Sequence, residues 1–188
     1  MEWRKHIATF GPVRSQCIRK SQERNNAQMY RQAVKHPLKH MIWGYMAMSG
    51  MGKLYHCEGT VNATSYRHIL KDSMLPVADK LFNNSSFVFM QDNAHLHMAK
   101  STQSWFAQHG VHVLKWPPAS PDLNPIENLW AKLKKSIRGR HPRNVSDLKQ
   151  VLDKEWIKVT DNICKALIDS MPDCLQVVID ANGDATKY

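Results

Sequence analysis

A strand–helix–strand run in the middle of the sequence most constrains the fold of this chain. The stretch "SFVFMQ" at residues 86–91 has the composition of a short buried strand. "HMAKSTQSWFAQHG" at residues 97–110 reads as a helix closed by Gly110, and "VHVLKWP" at residues 111–117 reads as a second strand stopped by prolines. Strands that alternate with helices predict a mixed α/β sheet with helices on its faces.

The flanking sequence fits the same fold class. Residues 40–59 contain two apolar runs around a Ser-Gly-Met-Gly turn, which predicts a hairpin, and residues 62–82 have helical spacing. Asn124 and Pro125 are typical of the start of a helix, and two further helices are predicted over residues 145–159 and 162–183.

The length of 188 residues, with 43% hydrophobic residues, suits a single domain. We divide it into a basic N-terminal segment at residues 1–40 and a main domain at residues 41–188. No apolar run approaches the roughly 20 residues that span a bilayer, and the start lacks the apolar run of a signal peptide. A membrane partner is therefore not expected. The four scattered cysteines favour reduced intracellular thiols.

The charge of the chain is concentrated in its first third. The formal net charge is +10, of which residues 1–71 carry +9. This bias favours a polyanionic partner, DNA above all, although a solvated basic surface remains an alternative. A second basic run, at residues 132–143, predicts phosphate contact, with a solvated helix face or a nuclear localisation signal as alternatives. Its basic residues are Lys132, Lys134, Lys135, Arg138, Arg140 and Arg143.

Two carboxylates stand where different elements can bring them together. Asp92 follows a buried strand, and Glu127 lies in the first turn of a helix. Hard oxygen ligands suit Mg²⁺, and two such ions can support phosphodiester cleavage. Each residue also has a structural explanation, because an Asp-Asn pair is ordinary turn chemistry and Glu127 can close a capping box with Asn124.

His95 and His97 form an H-x-H pair close behind Asp92. On a strand this spacing places both rings on one face, where they can bind zinc. No third and fourth ligand follow at a convincing spacing. The alternatives are therefore a zinc pair and a role for His97 beside the carboxylates.

Three strings, "VFMQDNAHLHMAKST", "VLKWPPASPDLNPIENLWAKLKK" and "MIWGYMAMSGMGKLY", closely resemble the catalytic domain of mariner/Tc-type cut-and-paste transposases. The resemblance extends from about Trp3 to Tyr188. It implies an RNase H-like fold and a DDE or DDD triad of acidic residues that holds two Mg²⁺ (or Mn²⁺) ions. Such a site cuts DNA at transposon ends and joins them to a target.

The resemblance assigns roles to individual residues. Asp92 in "QDNA" matches the second acid, and Glu127 in "NPIENLW" matches the third, with 34 residues between them. Both would be metal ligands and catalytic residues. His97 matches a family histidine near the active site, where it would contact a phosphate or orient a metal-bound water.

The first acid of the family has no counterpart here. In the family it lies in an "SDE"-like motif shortly after a "WRK"-like start, whereas this chain runs from "WRK" through His6 and Ile7 into "ATFGPVR". No Asp occurs before Asp72, and Glu2 and Glu23 do not match the motif. We therefore expect the first strand to be damaged or missing and the chain to be catalytically defective. Helix-turn-helix recognition of transposon ends is not expected from these residues.

Three functions remain open at this point. The chain is a transposase domain active in DNA transposition and integration, or a remnant that binds DNA without cutting it, or a protein-interaction module that retains the fold. A homodimer and a nuclear location are further expectations. Binding with a steep salt dependence distinguishes the second function from the third.

Overall fold

The predicted α/β class is confirmed in a computed structural model that describes residues 2–5, 38–82, 86–118, 120–121 and 123–183. The strands described are β1 (Glu2–Lys5), β2 (Met41–Ala47), β3 (Gly50–Met51), β4 (Tyr55–Cys57), β5 (Val88–Phe89) and β6 (His112–Val113). The α-helices are α1 (Ala63–Ile69), α2 (Leu75–Leu81), α3 (Lys100–Gln108), α4 (Pro125–Arg140), α5 (Val145–Ile157), α6 (Asp161–Asp169) and α7 (Met171–Asp180). Within these ranges, no helix is both long and apolar enough to cross a bilayer.

The strands form two sheets. In the first, β2 pairs antiparallel with β1 on one side and with β3 and β4 on the other. The pairing of β2 with β3 and β4 is the predicted hairpin. In the second, β5 and β6 are parallel and are joined by α3, so the strand–helix–strand run of the sequence forms as predicted. Among the described residues the two sheets share no strand pairing.

A short first strand is present. The four residues of β1 pair with β2 in a register that runs from Glu2 opposite Tyr45 to Lys5 opposite Ile42. The expectation of a first strand that is missing altogether is therefore too severe. Residues 6–37, which include most of the predicted basic segment, lie outside the described residues.

The strand β2 separates two hydrophobic cores, because successive side chains of a strand point to opposite faces. Ile42 and Met46 pack with α4, α5 and α6 in what we call the first core. Trp43 and Tyr45 pack with α1, α3 and β5 in the second core. Gly44 shares the face of Ile42, and a Cβ at this position would lie 2.5 Å from the ring of Trp156, so its lack of a side chain lets that indole reach the sheet.

The predicted helix over residues 62–82 forms with one irregular turn. Asn62 accepts hydrogen bonds from the backbone N–H groups of Thr64 and Ser65, as expected for an N-cap. Between α1 and α2, residues Leu70–Met74 form a π-helical turn. Pro76 follows two residues after the turn and lacks a backbone N–H, which explains why regular α-helical bonding is interrupted here.

The prediction of one helix over residues 162–183 is wrong. The structure has two helices, α6 and α7, that meet at Ser170. Pro172 lies in the first turn of α7, where its missing N–H is tolerated, whereas inside a longer helix it would break the bonding pattern.

Candidate active site

Asp92 lies in the loop that follows β5, and its side chain is 50% exposed. Its Oδ1 accepts a hydrogen bond of 2.9 Å from the backbone N–H of Ala94. This is the turn chemistry expected of an Asp two residues before the amide that it binds. The turn does not exclude a functional role, because it fixes the carboxylate at the mouth of a cleft.

His97 contacts the same oxygen, Asp92 Oδ1. Its Nδ1 lies 2.6 Å from Asp92 Oδ1 and 3.2 Å from the backbone carbonyl of Asp92. Both neighbours are acceptors, so Nδ1 carries the proton and donates it. The ring is 1% exposed, while His95 is exposed. The two rings therefore do not share a face, and His97 contacts the carboxylate rather than the open cleft.

Glu127 lies in the first turn of α4. The side chain of Asn124 accepts from the N–H of Ile126 at 3.2 Å, and the N–H of Glu127 donates to the carbonyl of Asn124 at 3.0 Å. The helix N-terminus favours a negative charge at this position. Ile126 and Leu129 are buried in the first core, which orients the start of α4.

Asp92 and Glu127 line one cleft with a volume of about 310 Å³. Asn93 closes one side of it by donating from Nδ2 to the carbonyl of Trp116 at 2.9 Å, which ties the loop after β5 to the segment after β6. The sequence did not single out Asn93, although its place beside Asp92 was a usable signal. The remaining wall residues are Ala94, Trp116, Pro117, Pro118, Ser120, Pro121 and Asn124.

The acidic groups do not form a complete metal site within the described residues. No cluster there gathers three or more His, Cys, Asp or Glu side chains in a way that could hold an ion. The cleft offers two carboxylates with hard oxygen donors, which is the chemistry that Mg²⁺ and Mn²⁺ prefer.

The six basic residues predicted to contact phosphates are divided among different faces. Lys134 and Arg138 lie seven and eleven residues after Glu127, a spacing that places all three on one stripe of α4. We call Lys134 and Arg138 the basic stripe. Burial, and to a lesser extent the neighbouring Arg138, lower the pKa of Lys134, in keeping with two cations four residues apart on one helix face.

The other basic residues point elsewhere. Lys132 and Lys135 are exposed on the side of α4 away from its buried residues, and Arg143 is exposed beyond the end of the helix. Arg140 faces α5, where its guanidinium lies 3.3 Å from a carboxylate oxygen of Glu155. Arg140 therefore forms an ion pair between α4 and α5.

Comparison with known proteins shows the family to which this chain belongs. Residues 15–149 match the family model described as DDE superfamily endonuclease. The chain belongs to the DDE endonuclease superfamily. Within this superfamily it is a transposase domain of the Tc1/mariner type, as its relatives show. The Tc1 transposase of Caenorhabditis elegans is 36% identical over all of this chain and 71% of its own length, and the Tcb1 transposase of Caenorhabditis briggsae is 34% identical over the same shares.

Solved structures of a mariner transposase share the fold. The catalytic domain of Mos1 transposase aligns with a TM-score of 0.69 over 81% of this chain and 78% of that chain, at 21% identity. A Mos1 paired-end complex with Mg aligns with a TM-score of 0.78 over 98% of this chain and 55% of that chain, also at 21% identity. The predicted RNase H-like fold of the DDE domain is thereby confirmed.

The alignment with the Tc1 transposase is longer than this chain. It extends over 196 residues and includes all 188 residues of this chain. At least eight aligned positions of the relative therefore have no counterpart here. This DDE domain is shorter than its relative within the matched region.

Proposed function

We propose that this chain is a transposase catalytic domain that binds DNA without cutting it on its own. One observation carries the proposal: two carboxylates line a single cleft, and no Asp precedes Asp72 in the sequence. Asp92 and Glu127 would be the second and third acids of the triad. The shortening relative to the Tc1 transposase supports the loss of the first.

The cleft can be compared with the metal ions that a related transposase holds. Mos1 transposase has been crystallised with Mn and with Mg. Here Asp92 and Glu127 would hold one Mg²⁺ or Mn²⁺, and a bound ion would supply charge for an oxygen of the DNA backbone. Two ions need a third carboxylate to bridge them, and the described cleft provides two. The residues therefore do not fit a two-ion site, and we derive no cleavage step.

His97 would act through Asp92. Its ring is buried, so we assign it the task of orienting the carboxylate in place of direct contact with a phosphate. In place of the catalytic role that the resemblance implies for His97, we assign it a positioning role for Asp92.

DNA binding would use the basic stripe. Lys134 and Arg138 are like charges in close proximity, and a bound phosphate would relieve their repulsion. They lie roughly 10 and 16 Å along α4 from Glu127 by the rise of an α-helix, which is a short path along a DNA backbone. A net charge of +10 strengthens the attraction to any duplex. A nuclear location and a homodimer on DNA belong to the same proposal.

Salt-dependent binding to a duplex of arbitrary sequence tests the DNA contact. We expect log K to fall linearly with log salt, and a double variant Lys134→Gln/Arg138→Gln to lower the slope by about 2, one for each lost phosphate contact. Arg140→Gln is the matched control, because it removes one cation that is already paired with Glu155. Binding that ignores salt would overturn the proposal in favour of a protein-interaction module.

A nicking assay on supercoiled DNA with Mg²⁺ or Mn²⁺ tests the catalytic defect. We expect no cleavage above the background of the Asp92→Asn variant. Cleavage by the unaltered chain that Asp92→Asn abolishes would show that the site is complete and would contradict the proposal.

A further inference from the structure

The buried Tyr66 of α1 contacts two residues near Asp92: Gln91, which directly precedes it, and His97, which hydrogen-bonds to it. The hydroxyl of Tyr66 donates to Gln91 Oε1 at 2.8 Å, and Gln91 directly precedes Asp92. The ring of Tyr66 packs on the imidazole of His97 with centroids 4.5 Å apart. All three partners, Tyr66, Gln91 and His97, are buried.

This arrangement leaves little freedom to the carboxylate. His97 can donate to Asp92 Oδ1 only while its ring keeps its orientation, and the ring of Tyr66, which packs against it at an interplanar angle of 39°, restricts that orientation. The carbonyl of His97 also accepts from Gln103 Nε2 at 2.7 Å, which anchors its backbone to α3. Gln91 fixes the chain at the end of β5, since its buried amide would lose a partner if it moved away from Tyr66.

We propose that Tyr66 is a positioning residue for Asp92, acting through its hydroxyl on Gln91 and through its ring on His97. The proposal rests on the proposed role of Asp92 as a metal ligand. It adds that α1, which contributes no residue to the cleft wall, controls how firmly the carboxylate is held. A structural tyrosine that merely filled the second core would have no such local effect.

The test measures backbone amide exchange in the metal-free chain without DNA. The N–H of Ala94 donates to Asp92 Oδ1 and so reports the order of the carboxylate. Tyr66→Phe keeps the ring and removes the hydroxyl. We expect exchange at Ala94 to become about fivefold faster, the change for one net hydrogen bond, with the amide of Gly52 unaffected.

The chain offers a matched control. Tyr45 is also buried in the second core, and its hydroxyl donates to the carbonyl of Ser73 at 3.0 Å, away from the cleft. Tyr45→Phe should leave the exchange of Ala94 unchanged. The ¹⁵N signals of the imidazole report the ring contact separately: the Nδ1-protonated form of His97 should keep its population in Tyr66→Phe, which retains the ring, and lose population in Tyr66→Leu, which removes it.

Two results would overturn the proposal. One is equal acceleration at Ala94 and Gly52 in both variants, which indicates general loss of stability. The other is no acceleration at Ala94 in Tyr66→Phe. If that variant does not fold, Gln91→Leu removes the other partner of the same hydrogen bond and carries the same expectations. Because these measurements use neither metal nor DNA, their outcome is independent of whether the chain binds DNA as proposed.

Discussion

Among single residues, Glu155 of α5 illustrates how one carboxylate joins neighbouring elements. Lys158 Nζ lies 2.6 Å from its Oε1, Ser136 of α4 donates to its Oε2, and Arg140 lies 3.3 Å away. Hydrogen bonds from Lys158 and Ser136 lower the pKa of Glu155 from its ordinary 4.5 to about 2. The charged form is therefore the one that the folded chain stabilises.

The pH dependence of stability follows from this shift. Because the folded pKa lies below the unfolded one, the contribution of Glu155 is fully present above about pH 4.5 and is lost as the pH falls towards 2. We expect Glu155→Gln to lower the free energy of unfolding at pH 6, and the difference from the unaltered chain to shrink below pH 4.5. Urea unfolding at a series of pH values measures it.

Asp169→Asn is a suitable control for that series, because it changes an exposed carboxylate of α6. Its unfolding curve should follow that of the unaltered chain at each pH. A deficit in Glu155→Gln that stays constant from pH 6 to pH 2.5 would contradict the assignment.

Local signals in the sequence place Asp92 and Glu127 at the ends of two elements, and the resemblance to the transposases assigns their roles, but neither describes their surroundings. Asp92 follows an apolar run and Glu127 follows a helix cap, so each is visible within a few residues. The contact of His97 with Tyr66 joins positions 31 residues apart, and the burial of His97 follows from it. No short-range pattern encodes such a contact, so the burial of His97 could not be predicted from the sequence.

Among the elements, α4 links the core to the candidate site. Its buried residues, Ile126, Leu129, Trp130, Leu133 and Ile137, form one face that packs in the first core. Glu127 and the basic stripe lie on an adjoining flank of the same helix. The position of the carboxylate therefore depends on packing up to ten residues away.

Truncation of Ile137 tests the burial of this face of α4. The side chain is 0% exposed, so Ile137→Ala should lower the free energy of unfolding by about 2–5 kcal/mol through lost burial and a cavity. Ile157→Ala is the matched control, because that isoleucine is 81% exposed and should cost less than about 0.5 kcal/mol. Chemical denaturation measures both, and equal losses would contradict the assigned burial.

The boundaries of elements were less predictable than their existence. The cap at Asn124 and the proline at the first position of α4 mark its start in the sequence and in the structure alike. Pro172 was read as part of a continuous helix, although it opens a new one. The π-helical turn before Pro76 was also missed. Within it the carbonyl of Ser73 accepts a hydrogen bond from the hydroxyl of Tyr45 on a distant strand, a contact that no local pattern encodes.

In the whole molecule, the two cores share β2 and so are expected to unfold together. Trp130 and Trp156 stack in the first core with centroids 5.2 Å apart, and Trp43 and Trp105 lie in the second. Any opening that removes β2 exposes apolar surface on both of its faces. Cooperative, two-state behaviour is the physical expectation for such an arrangement.

Fluorine NMR of the chain labelled with 5-fluorotryptophan measures this coupling. We expect the resonances of Trp130 and Trp156 to disappear at the same urea concentration as those of Trp43 and Trp105. Tryptophan-to-phenylalanine variants assign the signals and serve as controls. Separate midpoints for the two pairs would show that the cores unfold independently and would contradict the shared role of β2.

The half-exposed position of Asp92 has an evolutionary consequence. Neither Asp92 nor Glu127 is a member of either core, whereas Trp43, Trp105, Trp130 and Trp156 are. Once strand cutting is no longer selected, codons for the acids can drift without harming the fold, while codons for the buried indoles stay under purifying selection as long as the protein is made. A transposon copy of this kind would lose its catalytic acids before it lost its fold.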